Sequence, residues 1–297
     1  MQPLSRKSAL CLLYFVALLW GSTGIWSQIS TISSGQIVTG RTTIAVLALF
    51  LIVLTKGQLF DRKNWASPGW LFLAAIFLGL HWFCFFDCMR RSTVALGLVT
   101  YTTCPIFVAI AEPLLRRERI ALVPLFCGIL SLVGICFVHP ITSFDVTSLV
   151  PVIIGIMSGL FLAVLALITR YRLQGVNALF ISLVLNVAIA VFGWILAPLG
   201  SDAFTLKNFS ALLGLGILCS AVGQGLFIFG MRSVDSRTAS LITTLEAPSG
   251  VFLAWIILGE PVSFSTLIGC ALVVLAAGIV SVKGSERSRE AMVLETP

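Results

Sequence analysis

A carboxylate sits inside the stretch SLITTLEAPSGVFLAWIILGE, residues 240–260, where most neighbours are apolar. Glu246 lies about two residues, roughly 3 Å of helix rise, from the centre of that run. An ionised carboxylate at membrane depth costs several kcal/mol unless it is paired, hydrated or protonated. Glu246 is therefore expected to face a polar cavity or a neighbouring helix rather than lipid. Its chemistry there would be proton or cation handling, or contact with a substrate; the alternative is a structural hydrogen bond between helices. Pro248, two positions on, should free the Thr244 carbonyl from its helical bond and serve as a hinge.

Other polar side chains in apolar surroundings extend the candidate site. Arg41 must snorkel or pair at its depth, and could hold carbonyls, a carboxylate or a substrate anion. His81 shares a helix face with Phe85 by a spacing of four, and could carry protons or make a neutral interhelical bond; its neighbour Trp82 falls to the lipid side. Tyr101, Pro105, Val108 and Glu112 recur on one helix face, with the Tyr101 ring and hydroxyl suited to an amphipathic substrate and Pro105 as a second hinge. Glu112 reads as a surface pair with Arg116, and Asp87 as interfacial. Gln224, between glycines, needs a partner for its amide and could contact the cavity. Gly155 and Gly159 form a packing pattern. Asn186 and Trp194 carry no signal, so their span is placed at the periphery.

The elements that must position these groups follow from composition. Of 297 residues, 58 % are hydrophobic and 10 % charged, against about a quarter charged in soluble proteins. This is a polytopic membrane protein. The net charge of +7 is spread in short groups between apolar runs, which excludes a nucleic-acid face. The eight cysteines form no CxxC pair and have no flanking histidine, so they read as small buried side chains, with no metal site and no disulfide framework. No Walker loop, HExxH or GxSxG motif is present, so no ATP-driven or catalytic site, and no cofactor, is expected.

Ten runs are long enough to cross a bilayer, at 9–29, 35–54, 69–89, 93–114, 120–138, 147–169, 177–197, 208–230, 238–258 and 263–282. The first follows a basic start without an A-x-A-like cleavage site, and reads as a retained membrane helix. With the N-terminus inside, fifteen Lys and Arg fall on inner segments and three on outer loops, with Arg41 within a span. That bias places both termini in the cytoplasm.

Two blocks repeat: FFDCMRRSTVALGLVTYTTCPIFVAIAEPLLRRERI and IFGMRSVDSRTASLITTLEAPSGVFLAWIILGEPVS. Each reads Met-Arg, a small-residue run, Pro, then Glu, and the two prolines are 143 residues apart. The repeat unit therefore holds five spans, an odd number, so the halves should be inverted. The expected units are 1–139 and 147–283, joined near HPITSFDVT, with a cytoplasmic tail at 284–297. Inverted repeats with a midplane site are a common plan of secondary transporters.

The segments LLWGSTGIWSQ and GRTTIAVLALFLIVL, with the paired Pro…Glu ends of the fourth and ninth spans, resemble the drug/metabolite transporter superfamily, and within it the EamA family. The resemblance runs from about residue 9 to 282. It implies ten helices around a central cavity, and export of small metabolites such as amino acids across the plasma or inner membrane. It also adds Trp20 and Ser22 to the candidate substrate-binding residues. EPLLRRER departs from the family's usual apolar stretch followed by Gly-Glu. The partners expected are a small-molecule substrate, the lipid bilayer and protons as the candidate coupling ion, with the chain a monomer or homodimer. The alternatives are a multidrug or nucleotide-sugar carrier, or a membrane-embedded lipid-modifying enzyme built on Arg116, Arg117, Glu118 and Arg119.

Overall fold

The apolar runs become helices because a chain in hydrocarbon must satisfy its own backbone polar groups. The computed structural model describes residues 4–91, 94–117, 122–138, 149–258 and 262–294, which are helices and their connections, without strands. The joint expected near 139–147, together with Glu118, Arg119 and Glu260, lies outside the described residues.

The helices are α1 (Arg6–Gly21), α2 (Thr23–Ile29), α3 (Ser34–Thr55), α4 (Pro68–Arg91), α5 (Val94–Tyr101), α6 (Cys104–Arg116) and α7 (Leu122–Val138). After them come α8 (Leu149–Arg172), α9 (Ala178–Leu196) and α10 (Leu206–Leu213). A π-helical segment (Gly214–Gln224) leads on to α11 (Gly225–Gly230), α12 (Ser236–Thr243), α13 (Glu246–Leu258) and α14 (Phe264–Leu294). Seven helical runs among the described residues are long and apolar enough to cross a membrane, and Leu122–Gly134 and Phe264–Ile279 are shorter apolar helices. Residues 284–294, assigned from sequence to a tail, continue α14.

Local signals set several starts. Ser33 and Gln36 form a capping box at the head of α3, and Asp235 caps α12 by accepting from the Thr238 N–H at 2.9 Å, so orphan N–H groups are satisfied. Large apolar side chains such as Leu47, Leu51, Ile195 and Trp255 remain exposed on the outside of the bundle, where hydrocarbon would cover them.

Two spans are broken just ahead of their prolines. α5 stops at Tyr101 and α6 starts at Cys104; α12 stops at Thr243 and α13 starts at Glu246. Pro105 and Pro248 lie in the first turns of α6 and α13, where a missing N–H leaves no bond unmade. This corrects two expectations. The Thr244 carbonyl is not freed, since it accepts from the Ala247 N–H at 3.2 Å. Tyr101 and Glu112 do not share one continuous helix face, because the turn at 102–103 separates them.

The packing of the helices positions the site. α3 lies against α9, and α7 against α14. α4 packs on α8 and α9, while the π segment packs on α1 and α3. α8 lies against α5 and α6, and α1 against α12 and α13. The Gly155–Gly159 pattern does pack. A Cβ on Gly159 would stand 2.8 Å from the Tyr101 carbonyl, so glycine lets α8 close on the break between α5 and α6.

Candidate functional site

Buried polar groups from most spans converge on one small cavity of about 60 Å³. Of the side chains singled out in the sequence, Trp20, Arg41, His81, Phe85, Tyr101, Gln224 and Glu246 line it. Ser22 does not. Its hydroxyl donates to the Leu19 carbonyl at 2.7 Å and accepts from Trp26 Nε1 at 3.2 Å. Pro105 and Pro248 stand behind the lining, at the starts of the two broken helices.

Arg41 is held on α3 by two neighbours. Its Nε donates to Ser220 Oγ at 2.9 Å, and its guanidinium carbon lies 4.1 Å from the centre of the Trp82 ring. Trp82 is buried, which corrects its placement toward lipid: the guanidinium needs an apolar face to stack on, and Trp82 supplies one. Ser220 sits in the π segment, where its hydroxyl donates to the Leu215 carbonyl five residues back at 3.0 Å. π segments recur at functional sites because they re-aim side chains and free carbonyls. Here the Cys219 carbonyl accepts from Trp20 Nε1 at 2.9 Å. α3 reaches this segment because residue 216 is glycine; a Cβ there would stand 2.8 Å from the Arg41 carbonyl and 2.7 Å from Ile44 Cβ.

Glu246 opens α13 and is buried against the cavity. Its Oε2 lies 2.7 Å from the Tyr101 hydroxyl, which is also 3.3 Å from the Thr243 carbonyl. Arg41 and Glu246 thus line one cavity, yet among the described residues no ion pair joins them.

His81 faces α8, where Nδ1 is 2.8 Å from Ser158 Oγ and 3.1 Å from the Ser158 carbonyl. Its ring stacks beside Phe85 and lies 6.0 Å from the Tyr101 ring.

Asn186 is the residue the sequence missed. It is buried, and its Nδ2 donates to the Ser182 carbonyl at 2.7 Å and to Gln224 Oε1 at 2.9 Å. The span carrying it is therefore central rather than peripheral. A carbonyl can only accept, so Ser182 fixes which end of the Asn186 amide donates. Asn186 in turn fixes Gln224, whose NH₂ is the end presented to the cavity. The available signal was an amide in an otherwise apolar run, which hydrocarbon would leave unpaired.

The surface placement of Glu112 is also corrected. It is buried, and its Oε1 accepts from the Tyr171 hydroxyl at 2.6 Å, because α6 packs on α8 instead of facing solvent at this position. Asp87 pairs with Arg91 at 2.6 Å on a part-exposed end of α4. Among the described residues no His, Cys, Asp and Glu group could hold a metal ion, and all eight cysteines are free thiols.

Chemically, the site offers a guanidinium and an amide NH₂ as donors, a carboxylate as acceptor, and aromatic walls. At about 60 Å³ it has room for a few waters, so a metabolite would need the helices to part.

Comparison with known proteins bears on this arrangement. The EamA-like transporter family matches twice, over residues 7–139 and 149–282. No curated protein matches the chain. A solved structure, described only as the crystal structure of a protein, aligns with a TM-score of 0.78 at 18 % identity, covering 95 % of this chain and 100 % of its own. That likeness is one of fold.

Proposed function

The chain belongs to the EamA-like transporter family, and on that premise we propose that it is a secondary exporter of zwitterionic small metabolites, amino acids in particular. Ten spans form two inverted five-helix halves, with both termini in the cytoplasm, and the halves rock around the central cavity. The cargo carboxylate is taken by Arg41 and the Gln224 NH₂, its ammonium by Glu246, and its side chain by Trp20, Phe85 and Tyr101.

The observation that carries this reading is that Arg41 and Glu246 line one small cavity with no ion pair between them among the described residues. Two buried opposite charges normally pair, because an unpaired one is costly. A zwitterion placed between them would satisfy both. The packing supports the inverted halves. Exchanging each span for its counterpart five further on turns the contact of α4 with α8 into that of α11 and the π segment with α1. The same exchange turns α6 with α8 into α13 with α1, and leaves α3 with α9 and α7 with α14 unchanged.

Arg41 is the one guanidinium among the cavity-lining residues, which favours a metabolite with a single carboxylate over a nucleotide sugar with its diphosphate. The test is uptake and efflux of an amino-acid panel in proteoliposomes, with and without a pH gradient. Saturable movement of at least one amino acid, lost in Arg41→Gln, is expected. Movement of nucleotide sugars alone, or turnover of a lipid without vectorial transport, would overturn the reading.

A further inference from the structure

Asn64 and Asn208 occupy matching places in the two halves. Each is the centre of a Lys-Asn-aromatic triplet, Lys63-Asn64-Trp65 and Lys207-Asn208-Phe209, displaced by 144 residues. Pro105 and Pro248 are displaced by 143 residues, so the triplets belong to the same repeat. Both asparagines are 2 % exposed, although Asn64 stands outside the long apolar runs and Asn208 at the start of one.

Two hydrogen bonds of each match, and Asn208 adds a pair with the Thr31 hydroxyl. Asn64 Nδ2 donates to the carbonyl of Gln58, six residues back, at 2.7 Å, and Asn208 Nδ2 donates to that of Asp202, also six residues back, at 2.9 Å. Each carbonyl fixes its amide, so each Oδ1 is the accepting end. Asn64 Oδ1 accepts the Asn177 N–H at 2.8 Å, and Asn208 Oδ1 accepts the Thr31 N–H at 2.8 Å. Both bonds cross between the halves. The turns they hold are gripped again from their own half: Arg232 donates to the Val176 carbonyl, and Arg90 to the Thr31 carbonyl at 3.4 Å. Arg90 and Arg232 are themselves the Met-Arg arginines of the repeated blocks.

The two clasps lie at opposite ends of the bundle. Thr31 precedes the 22-residue helix α3 and Asn64 follows it, a separation of about 33 Å of helix. One clasp also adjoins a small recess that borders the cavity. A recess of about 10 Å³ beside Arg170, Gln174 and Arg232 shares Thr169 and Ile228 with the central cavity. Arg232, which holds the turn at Val176, thus stands beside the cavity's neighbouring recess.

We propose that Asn64 and Asn208 are positioning residues of the transport cycle. Each latches the mouth on its own face shut by holding a turn of the opposite half, and the cycle releases one latch at a time. Both latches are engaged here, in a structure whose cavity measures about 60 Å³. The proposal rests on the inverted halves of the proposed function, but its test needs no cargo.

Cysteines placed at Thr169 and Thr23, which line the cavity in the two halves, report access in a chain cleared of its native cysteines. A membrane-impermeant maleimide is applied from one face or the other. Asn64→Leu should speed labelling at position 169 from the Asn64 face by about tenfold, as loss of one buried hydrogen bond allows, and leave position 23 unchanged from the other face. Asn208→Leu should do the reverse. Asn64→Asp, which keeps an acceptor for the Asn177 N–H but loses the donor to the Gln58 carbonyl, should label more slowly than Asn64→Leu; Asn64→Ala reads the same outcome as leucine if the leucine variant does not fold. Faster labelling from both faces in either variant, or no change in both, would overturn the latches. If both variants opened the same face, the inverted arrangement would fall with them. Absence of any transported metabolite bears on the proposed cargo and leaves the latches standing.

Discussion

The Tyr101 hydroxyl, at the end of α5, lies 2.7 Å from Glu246 Oε2, at the start of α13. It joins the two broken spans across the boundary between the repeats. Tyr101→Phe takes a donor from a buried carboxylate and gives nothing back. It should lower stability by about 1–3 kcal/mol, seen as an earlier thermal transition in detergent. Glu246→Gln keeps an acceptor for the hydroxyl and should lower it less. A Tyr101→Phe protein as stable as its parent would show that the contact is not made in solution.

Glu246 also faces the charge of Arg41 and the His81 ring across the cavity. If its carboxyl exchanges a proton in each cycle, an imposed pH gradient should accelerate transport by the parent chain, and Glu246→Gln should transport at a rate indifferent to the gradient. The measurement is initial flux in proteoliposomes at several internal and external pH values. Superimposable pH profiles for the two proteins would remove Glu246 from coupling.

Why these groups could be found in the sequence, and others not, is a matter of energetics. Arg41, His81, Tyr101, Gln224 and Glu246 betray themselves because a charge or amide at membrane depth is tolerable only away from lipid. That constraint turns them away from lipid; the packing of the helices brings them to one cavity. Trp82 and Asn186 were misplaced because helix-face arguments need contrast. Around them nearly every neighbour is apolar whichever way it points, so polarity does not single out the inner face. Glu112 is a different case: its place near a span end, four residues from Arg116, reads as surface, while the packing of α6 on α8, which that spacing does not reveal, buries it. The π segment left only an indirect trace, the glycines at 214, 216, 223 and 225, which admit close neighbours without announcing a change of helical period.

Arg41 tests the difference between charge and shape. Lysine would keep the charge but lose the Nε bond to Ser220 and the flat stacking on Trp82, since an ammonium has neither the fork nor the plane. Arg41→Lys should therefore cut transport nearly as far as Arg41→Gln, by about tenfold or more for each lost contact of 1.4 kcal/mol. Trp82→Phe, which keeps an aromatic face, should be milder than Trp82→Leu. Wild-type flux in Arg41→Lys would mean that only the charge matters.

The chain of amides from Ser182 through Asn186 to Gln224 makes a prediction that side-chain size alone would not. Asn186→Leu removes the donor and lets the Gln224 amide rotate, so its NH₂ faces the cavity part of the time. Asn186→Asp is closer in size to asparagine yet should be worse. A carboxylate accepts only, so the Gln224 NH₂ would turn toward residue 186 and present its oxygen to the cargo carboxylate. The expected order of KM for a transported amino acid is parent, then Asn186→Leu, then Asn186→Asp, with the last raised by about tenfold, the scale of one buried hydrogen bond exchanged for a repulsion. Maximal flux per folded molecule should change little in the leucine variant. An aspartate variant that binds as well as the leucine one would show that Gln224 is not oriented by this relay.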